Sequence, residues 1–231
     1  MSERHVARMP RGVRDSSTWY RDVDPMSQVD SAVVDFVAER AGRRVLDLGC
    51  GLGGYSRALG ERGHDCYALD VVDAYIEAAR AIGVRADLYD GERLPLEDGA
   101  VDTVILIEVL EHLADPASLL REAARVARES VLVTTPNCTQ SFGPVPIEFS
   151  HMLDSDHRQF FTVASLRELL EATFERCEVV QSHPLDEMIA DLVLPRPLPR
   201  LYRGLARVGA AQPRYFERLL GQGWRGDGAP G

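Results

Sequence analysis

Apolar residues recur along this chain in two alternating rhythms, and the alternation predicts its architecture. Between Ser27 and Ala41, the residues Val33, Val34, Phe36 and Val37 share one face at helical spacing, which predicts a lead-in helix. Strand and helix patterns then alternate: a strand over Arg44–Leu48, a helix over about Gly54–Arg62, a strand over Asp65–Leu69, a helix over Asp73–Ile82 and a short strand over Val84–Leu88. After a turn-rich stretch (Asp90, Gly91, Pro95, Asp98, Gly99), Val101–Ile107 is almost continuously apolar, as a parallel strand buried on both faces must be. A helix over about Pro116–Ala127 and a strand over Ser130–Thr134 complete the repeat, and a helix over Val163–Thr173 and a strand over Phe174–Gln181 follow. This rhythm predicts an α/β fold: a doubly wound, mostly parallel sheet with helices on both faces.

Outside the repeat the periodicity fails. Residues 1–26 read as an irregular N-terminal segment, in which Trp19 and Tyr20 are candidates for a lid or for core packing. Residues 136–159 carry Phe142, Pro144, Pro146, Phe149, His151 and His157 without a period, which predicts a long loop over the ligand-binding edge of the sheet. The repeat therefore occupies residues 27–182, and residues 183–231 form a C-terminal extension. Between Arg196 and Arg225 that extension has seven arginines and one acid, Glu217. Leu201, Tyr202, Leu205 and Val208 share a helical face there, so an amphipathic basic helix is predicted. Such an element can meet an anionic membrane, hold a phosphate-bearing lipid or glycan carrier, or lie along its own domain with arginine stems packed down.

Composition narrows the chemistry. No stretch approaches the roughly 18 apolar residues of a membrane span, and the N-terminal arginines lack the apolar run of a secretion signal. A cytoplasmic protein is expected. The four cysteines (Cys50, Cys66, Cys138, Cys177) have no zinc-like spacing. A formal charge of −10 makes nucleic acid an unlikely partner, because such binding rests on neutralising phosphates. All 26 basic residues are arginine, which excludes Schiff-base chemistry and the phosphate-binding lysine of a P-loop.

The most specific signal lies where the first strand ends, in Asp47-Leu48-Gly49-Cys50-Gly51-Leu52-Gly53-Gly54. Glycines at a strand-to-helix turn let a ligand approach the backbone at a helix N-terminus. Asp70, at the end of the second strand, can accept hydrogen bonds from ribose hydroxyls. The run also satisfies the dinucleotide pattern through Gly49, Gly51 and Gly54, but Asp47 would repel a pyrophosphate, whereas it suits a cationic sulfonium with an amino group. Asp47-x-Gly49-x-Gly51-x-Gly53 resembles the first motif of class I S-adenosylmethionine-dependent methyltransferases, over about residues 40–180. The resemblance implies a Rossmann-like methyltransferase sheet in which Asp47 and the backbone of Gly49, Cys50, Gly51 and Gly53 hold the methionine portion and Asp70 the ribose. It further implies an acid near the third strand at the adenine, for which Asp87 and Asp90 both qualify.

After the fourth strand, Ile107-Glu108-Val109-Leu110-Glu111-His112-Leu113 would bring Glu108, Glu111 and His112 to one face if helical. His157, or His151, could complete a mixed oxygen and nitrogen site for a divalent ion such as Mg, Mn or Zn. Glu-x-x-Glu-His resembles the metal-binding motif of the ubiquinone-biosynthesis O-methyltransferases and the small-RNA 3′-terminal 2′-O-methyltransferases. In metal-free relatives Glu108 lines the cofactor pocket and Glu111 favours the positive helix N-terminus, and His112 or His157 would act as the general base; His112, His157 and Glu111 are the catalytic candidates. The expected function is O-methylation of a small-molecule, sugar, quinone or lipid-linked hydroxyl by S-adenosylmethionine. RNA-end methylation and a non-catalytic cofactor-binding regulator are the alternatives.

Overall fold

The computed structural model describes residues 23–138, 156–184, 196–208, 210 and 216–226. Trp19, Tyr20, Phe142, Pro144, Pro146, Phe149 and His151 lie outside them. A single 3₁₀ turn, Pro25–Gln28, leads into α1 (Ser31–Arg40), and then come β1 (Arg44–Leu48), α2 (Gly54–Glu61), β2 (Asp65–Asp70), α3 (Asp73–Ala81) and β3 (Ala86–Leu88). The second half continues with β4 (Val101–Ile107), a 3₁₀ turn at Leu110–His112, α4 (Pro116–Val126), β5 (Ala127–Pro136), α5 (Val163–Glu171), β6 (Arg176–Pro184), α6 (Leu198–Arg207) and β7 (Phe216–Trp224). Polar caps set several helix starts. Asp30 accepts the Ala32 N–H at α1, Asp115 accepts that of Ser118 at α4, and Thr162 and Ser165 cap each other at α5.

The seven strands are ordered β3-β2-β1-β4-β5-β7-β6. All neighbours run parallel except β7, which is antiparallel to both β5 and β6. Strand alternation divides the core. Val45, Ile105, Ile107 and Leu132 face α1 and α2 through Val33, Val34, Val37 and Leu59. Leu46, Leu48, Val104 and Leu106 face α4 and α5 through Leu120, Ala123, Leu166 and Leu170. Every residue of β4 is buried, as its apolar run requires. At the amino edge Asp102 accepts the Arg44 N–H and pairs with the guanidinium groups of Arg44 and Arg128, tying β1, β4 and β5 together.

The C-terminal boundary is corrected. Residues 183–231 read as a helical extension, yet Phe216–Trp224 inserts between β5 and β6 and completes the sheet. The strand is disguised by Gly221 and Gly223. A Cβ at Gly221 would lie 2.8 Å from Val133 Cγ2, and one at Gly223 would overlap the Phe174 ring, so close packing has removed the side chains that would have marked a strand. Because β7 is antiparallel to β5, the connection from β6 through α6 leaves and returns at the carboxyl edge of the parallel strands.

Candidate active site at the carboxyl edge

The edge has two halves. In the first, β1 delivers the chain into a turn with positive φ at Gly49, Gly51 and Gly53. At Gly49 (φ 78°) a Cβ would also stand 2.7 Å from the Val109 side chain, so sterics and backbone conformation both demand glycine. At Gly51 (φ 51°) a Cβ would meet nothing within 4 Å, so the turn is open on that side. Its N–H donates to Asp70 Oδ2 at 2.9 Å, and the Val72 N–H donates to Asp70 Oδ1 at 3.0 Å. Two backbone donors therefore orient Asp70 beside the open turn. Burial nevertheless raises its pKa, against the lowering by those hydrogen bonds.

Asp47 lies beneath the turn, 2% exposed, and accepts the Ser56 hydroxyl from α2 at 2.7 Å. Burial, with some repulsion from Asp70, pushes its pKa up to about 6 despite that hydrogen bond. The Cys50 side chain packs with Ala68, Ile76 and Ala79 and its thiol donates to Gly51 O at 3.6 Å, while burial raises the thiol pKa. Of the two acids near β3, Asp87 is held by the Arg80 guanidinium and the Tyr67 hydroxyl. Asp90 accepts the Glu92 N–H through Oδ1, just after Tyr89, whose N–H donates to Asp70 O.

In the second half β4 is followed by Glu108, whose φ of 54° is not helical, so the condition for one shared helical face is not met and Glu108, Glu111 and His112 do not sit at helical i, i+3, i+4 positions. Glu108 turns to β5 and β7, where Oε1 accepts the Thr134 hydroxyl at 2.9 Å and pairs with Arg218 Nε at 3.3 Å. Burial raises the Glu108 pKa and Arg218 opposes the rise. Arg218 Nη1 also reaches Asp30 Oδ2 at 3.1 Å, and His183 Nε2 reaches the same oxygen at 2.7 Å. Sequence reasoning missed this chain of charges, because Arg218 was counted with the basic tail.

Glu111 and His112 share the following 3₁₀ turn, and His157, 45 residues further along the chain, is brought against them. Arg158 and Gln159 anchor that approach by donating their N–H groups to Glu111 O at 2.7 and 2.9 Å. A ligand-capable atom from each of Glu111, His112 and His157 lies within 4.8 Å of the others, and the two imidazole centroids are 4.7 Å apart. Glu108 is not in this group. Glu111 is 1% exposed, and neither carboxyl oxygen has a hydrogen-bond partner among the described residues. Burial first, and then the charge of Glu108, drives its pKa well above the ordinary carboxylate value. His112 Nδ1 stands 3.3 Å from Asp156 O. A carbonyl only accepts, so Nδ1 carries the proton and Nε2 of the neutral ring presents a lone pair.

Residues 46–133 match the family model described as a methyltransferase domain. A ubiquinone biosynthesis O-methyltransferase of Hahella chejuensis is 36% identical over 114 residues, covering 45% of this chain and 48% of the relative. A protein of Mycolicibacterium smegmatis named "Probable S-adenosylmethionine-dependent methyltransferase" is 34% identical over 174 residues, 71% of this chain and 62% of its own length. The chain thus spans about half to three fifths of these two relatives. A SAM-dependent methyltransferase structure from Archaeoglobus fulgidus superposes with a TM-score of 0.63 at 17% identity, covering 87% of this chain and 96% of that one. With the glycine turn and Asp70 at one half of the edge of a seven-stranded sheet, the chain has the fold of the S-adenosylmethionine-dependent methyltransferases, and its residues 46–133 are similar to a methyltransferase domain.

Proposed function

We propose that the protein transfers the methyl group of S-adenosylmethionine to a hydroxyl oxygen of a small or lipid-linked acceptor. The observation that carries the reading is Glu111: a buried carboxyl group with no hydrogen-bond partner among the described residues, beside two imidazoles, just past the end of the strand next to the cofactor turn. A buried unpaired acid costs stability, so its retention in a site is explained by what arrives there. The similarity to a ubiquinone biosynthesis O-methyltransferase supports oxygen as the acceptor atom.

In this reading Asp70 receives the ribose hydroxyls, the backbone around Gly51 faces the methionine portion, and Asp47 offers negative charge beneath it. Asp90 faces the adenine, since Asp87 is engaged by Arg80 and Tyr67. The sulfonium already activates the methyl carbon, so the protein has to align the acceptor and take its proton. His112 Nε2, backed by the Asp156 carbonyl, takes that proton, and Glu111 stabilises the imidazolium formed.

Glu111, His112 and His157 also fit a divalent cation, because the orphaned Glu111 oxygens and two imidazoles form a nitrogen-rich donor set that suits Zn or Mn better than Mg. When bound there, such an ion would lower the pKa of the acceptor hydroxyl. Glu108, held by Arg218 and Thr134, stays outside that donor set and borders the cofactor.

The test is methyl transfer from labelled S-adenosylmethionine to a panel of phenolic, quinol and sugar hydroxyls, with and without a chelator, for wild type and Glu111→Gln. The reading expects turnover on a hydroxyl acceptor and a loss of about tenfold or more in Glu111→Gln. The unliganded variant should melt higher, since a buried ionisable group has been removed. Wild-type turnover confined to nitrogen or carbon acceptors, or an unimpaired Glu111→Gln, would overturn it. Chelator sensitivity separates the cation from the bare histidine.

A further inference from the structure

The β6–β7 connection emerges at the carboxyl edge and carries α6, whose two faces differ sharply. Pro199 is buried and Tyr202, Arg203 and Ala206 are half-buried, so one side of the helix faces the protein. The opposite side is exposed and is itself divided. Leu198, Leu201, Leu205 and Val208, at successive spacings of three, four and three, form an apolar stripe whose members are 42%, 59%, 42% and 77% exposed. Arg200 and Arg207 flank it on the far side of Gly204, and Arg196 lies just before the helix. No acid occurs between Asp191 and Glu217, while five arginines do, on a chain whose formal charge is −10.

We infer that α6 is a docking helix for an anionic lipid surface, with Leu198, Leu201, Leu205 and Val208 entering the headgroup boundary and Arg200 and Arg207 meeting the phosphates. The charge pattern selects this occupant. A nucleic-acid backbone would engage the arginines and leave four large apolar side chains in water. A second copy of α6 packed on the stripe would bring the two arginine rows together. A phosphate-rich surface with an apolar interior satisfies both halves of the exposed face at once. Repulsion from the rest of the acidic chain decays within a Debye length of about 10 Å at 0.1 M salt, so attraction at α6 can act locally.

Topology gives the docking a consequence. Arg218 lies two residues inside β7, at the returning end of the same connection, and pairs with Glu108 beside the candidate site. Docking through α6 would therefore bring the carboxyl edge toward the bilayer, from which an apolar acceptor could enter. That consequence rests on the methyl-transfer reading; the docking itself does not.

The experiment is vesicle flotation of the full chain with phosphatidylglycerol–phosphatidylcholine vesicles and with pure phosphatidylcholine vesicles, for wild type, Leu201→Ser/Leu205→Ser and Arg200→Gln/Arg207→Gln. All four positions are exposed, so thermal midpoints should match and any loss of binding is not a loss of fold. The proposal expects wild type to float with the anionic vesicles about tenfold more tightly than with the neutral ones, to release in high salt, and to lose about tenfold in affinity in each double variant. No flotation with anionic vesicles, or flotation indifferent to both double variants, would overturn it. So would a vesicle-free dimer that the leucine substitutions dissociate, which would make the stripe a contact between copies.

Discussion

On the β1–β2 side of the carboxyl edge the acids are already satisfied: Asp47 accepts from Ser56, and Asp70 from the N–H groups of Gly51 and Val72. On the β4–β5–β7 side, Glu108 is satisfied through Arg218 and Thr134, whereas Glu111 has no hydrogen-bond partner among the described residues. The first half is preorganised to receive one ligand by backbone geometry. The second stores an unmet demand for a proton or a cation. A site that binds a constant cofactor benefits from being finished before the ligand arrives, and a site that must exchange a proton with its acceptor benefits from a group that is not.

The largest effect that could break this contrast is at Asp70. In Asp70→Ala, S-adenosylhomocysteine should bind about a hundredfold more weakly, or ~2.7 kcal/mol, because charge-assisted hydrogen bonds to the ribose are lost and two backbone donors are left unpaired. Arg218→Ala should cost about 2–3 kcal/mol in denaturant-induced unfolding, since it leaves Glu108 and Asp30 without their guanidinium in a largely enclosed place. Adding Glu108→Gln should restore part of that loss, and strict additivity would contradict the pairing. Gly49→Ala should destabilise by about 2 kcal/mol, through its positive φ and the collision with Val109.

The last effect is titrational and appears only as pH is varied. The folded-state pKa of Asp47, about 6, lies above its ordinary 3.8. The folded state therefore holds the proton more tightly, and stability falls as pH rises from about 4 through about 6. Asp47→Asn should match wild type below about pH 4 and exceed it by about 3 kcal/mol above pH 7 in unliganded protein. A stability gap of the opposite sign would mean that Asp47 is stabilised as the carboxylate, before any cation arrives.

The same contrast explains what was legible in the sequence. The cofactor half is local, in that a strand, a glycine turn and the acid at the next strand's end fall between residues 44 and 70, so spacing alone exposes them. The parallel strands were legible too, since burial on both faces leaves apolar runs such as Val101–Ile107. The second half is assembled from β4, β5, β7 and the segment around His157 that leads into α5. The identities of Glu111, His112 and His157 could be read, but the geometry could not: in place of the helix that would have put Glu108, Glu111 and His112 on one face stand the turned-back Glu108 and a single 3₁₀ turn. Arg218 was invisible as a site residue because Gly221 and Gly223 hide the strand that carries it, and pairing across 110 residues leaves no periodic trace.

The measurement that tests the division most directly is calorimetric titration of wild type, Asp70→Ala and Glu111→Gln with S-adenosylhomocysteine. The account predicts tight binding to wild type, a loss of about a hundredfold in Asp70→Ala and an affinity within a few-fold of wild type in Glu111→Gln. No binding to wild type, or binding that ignores Asp70 and collapses with Glu111, would contradict it.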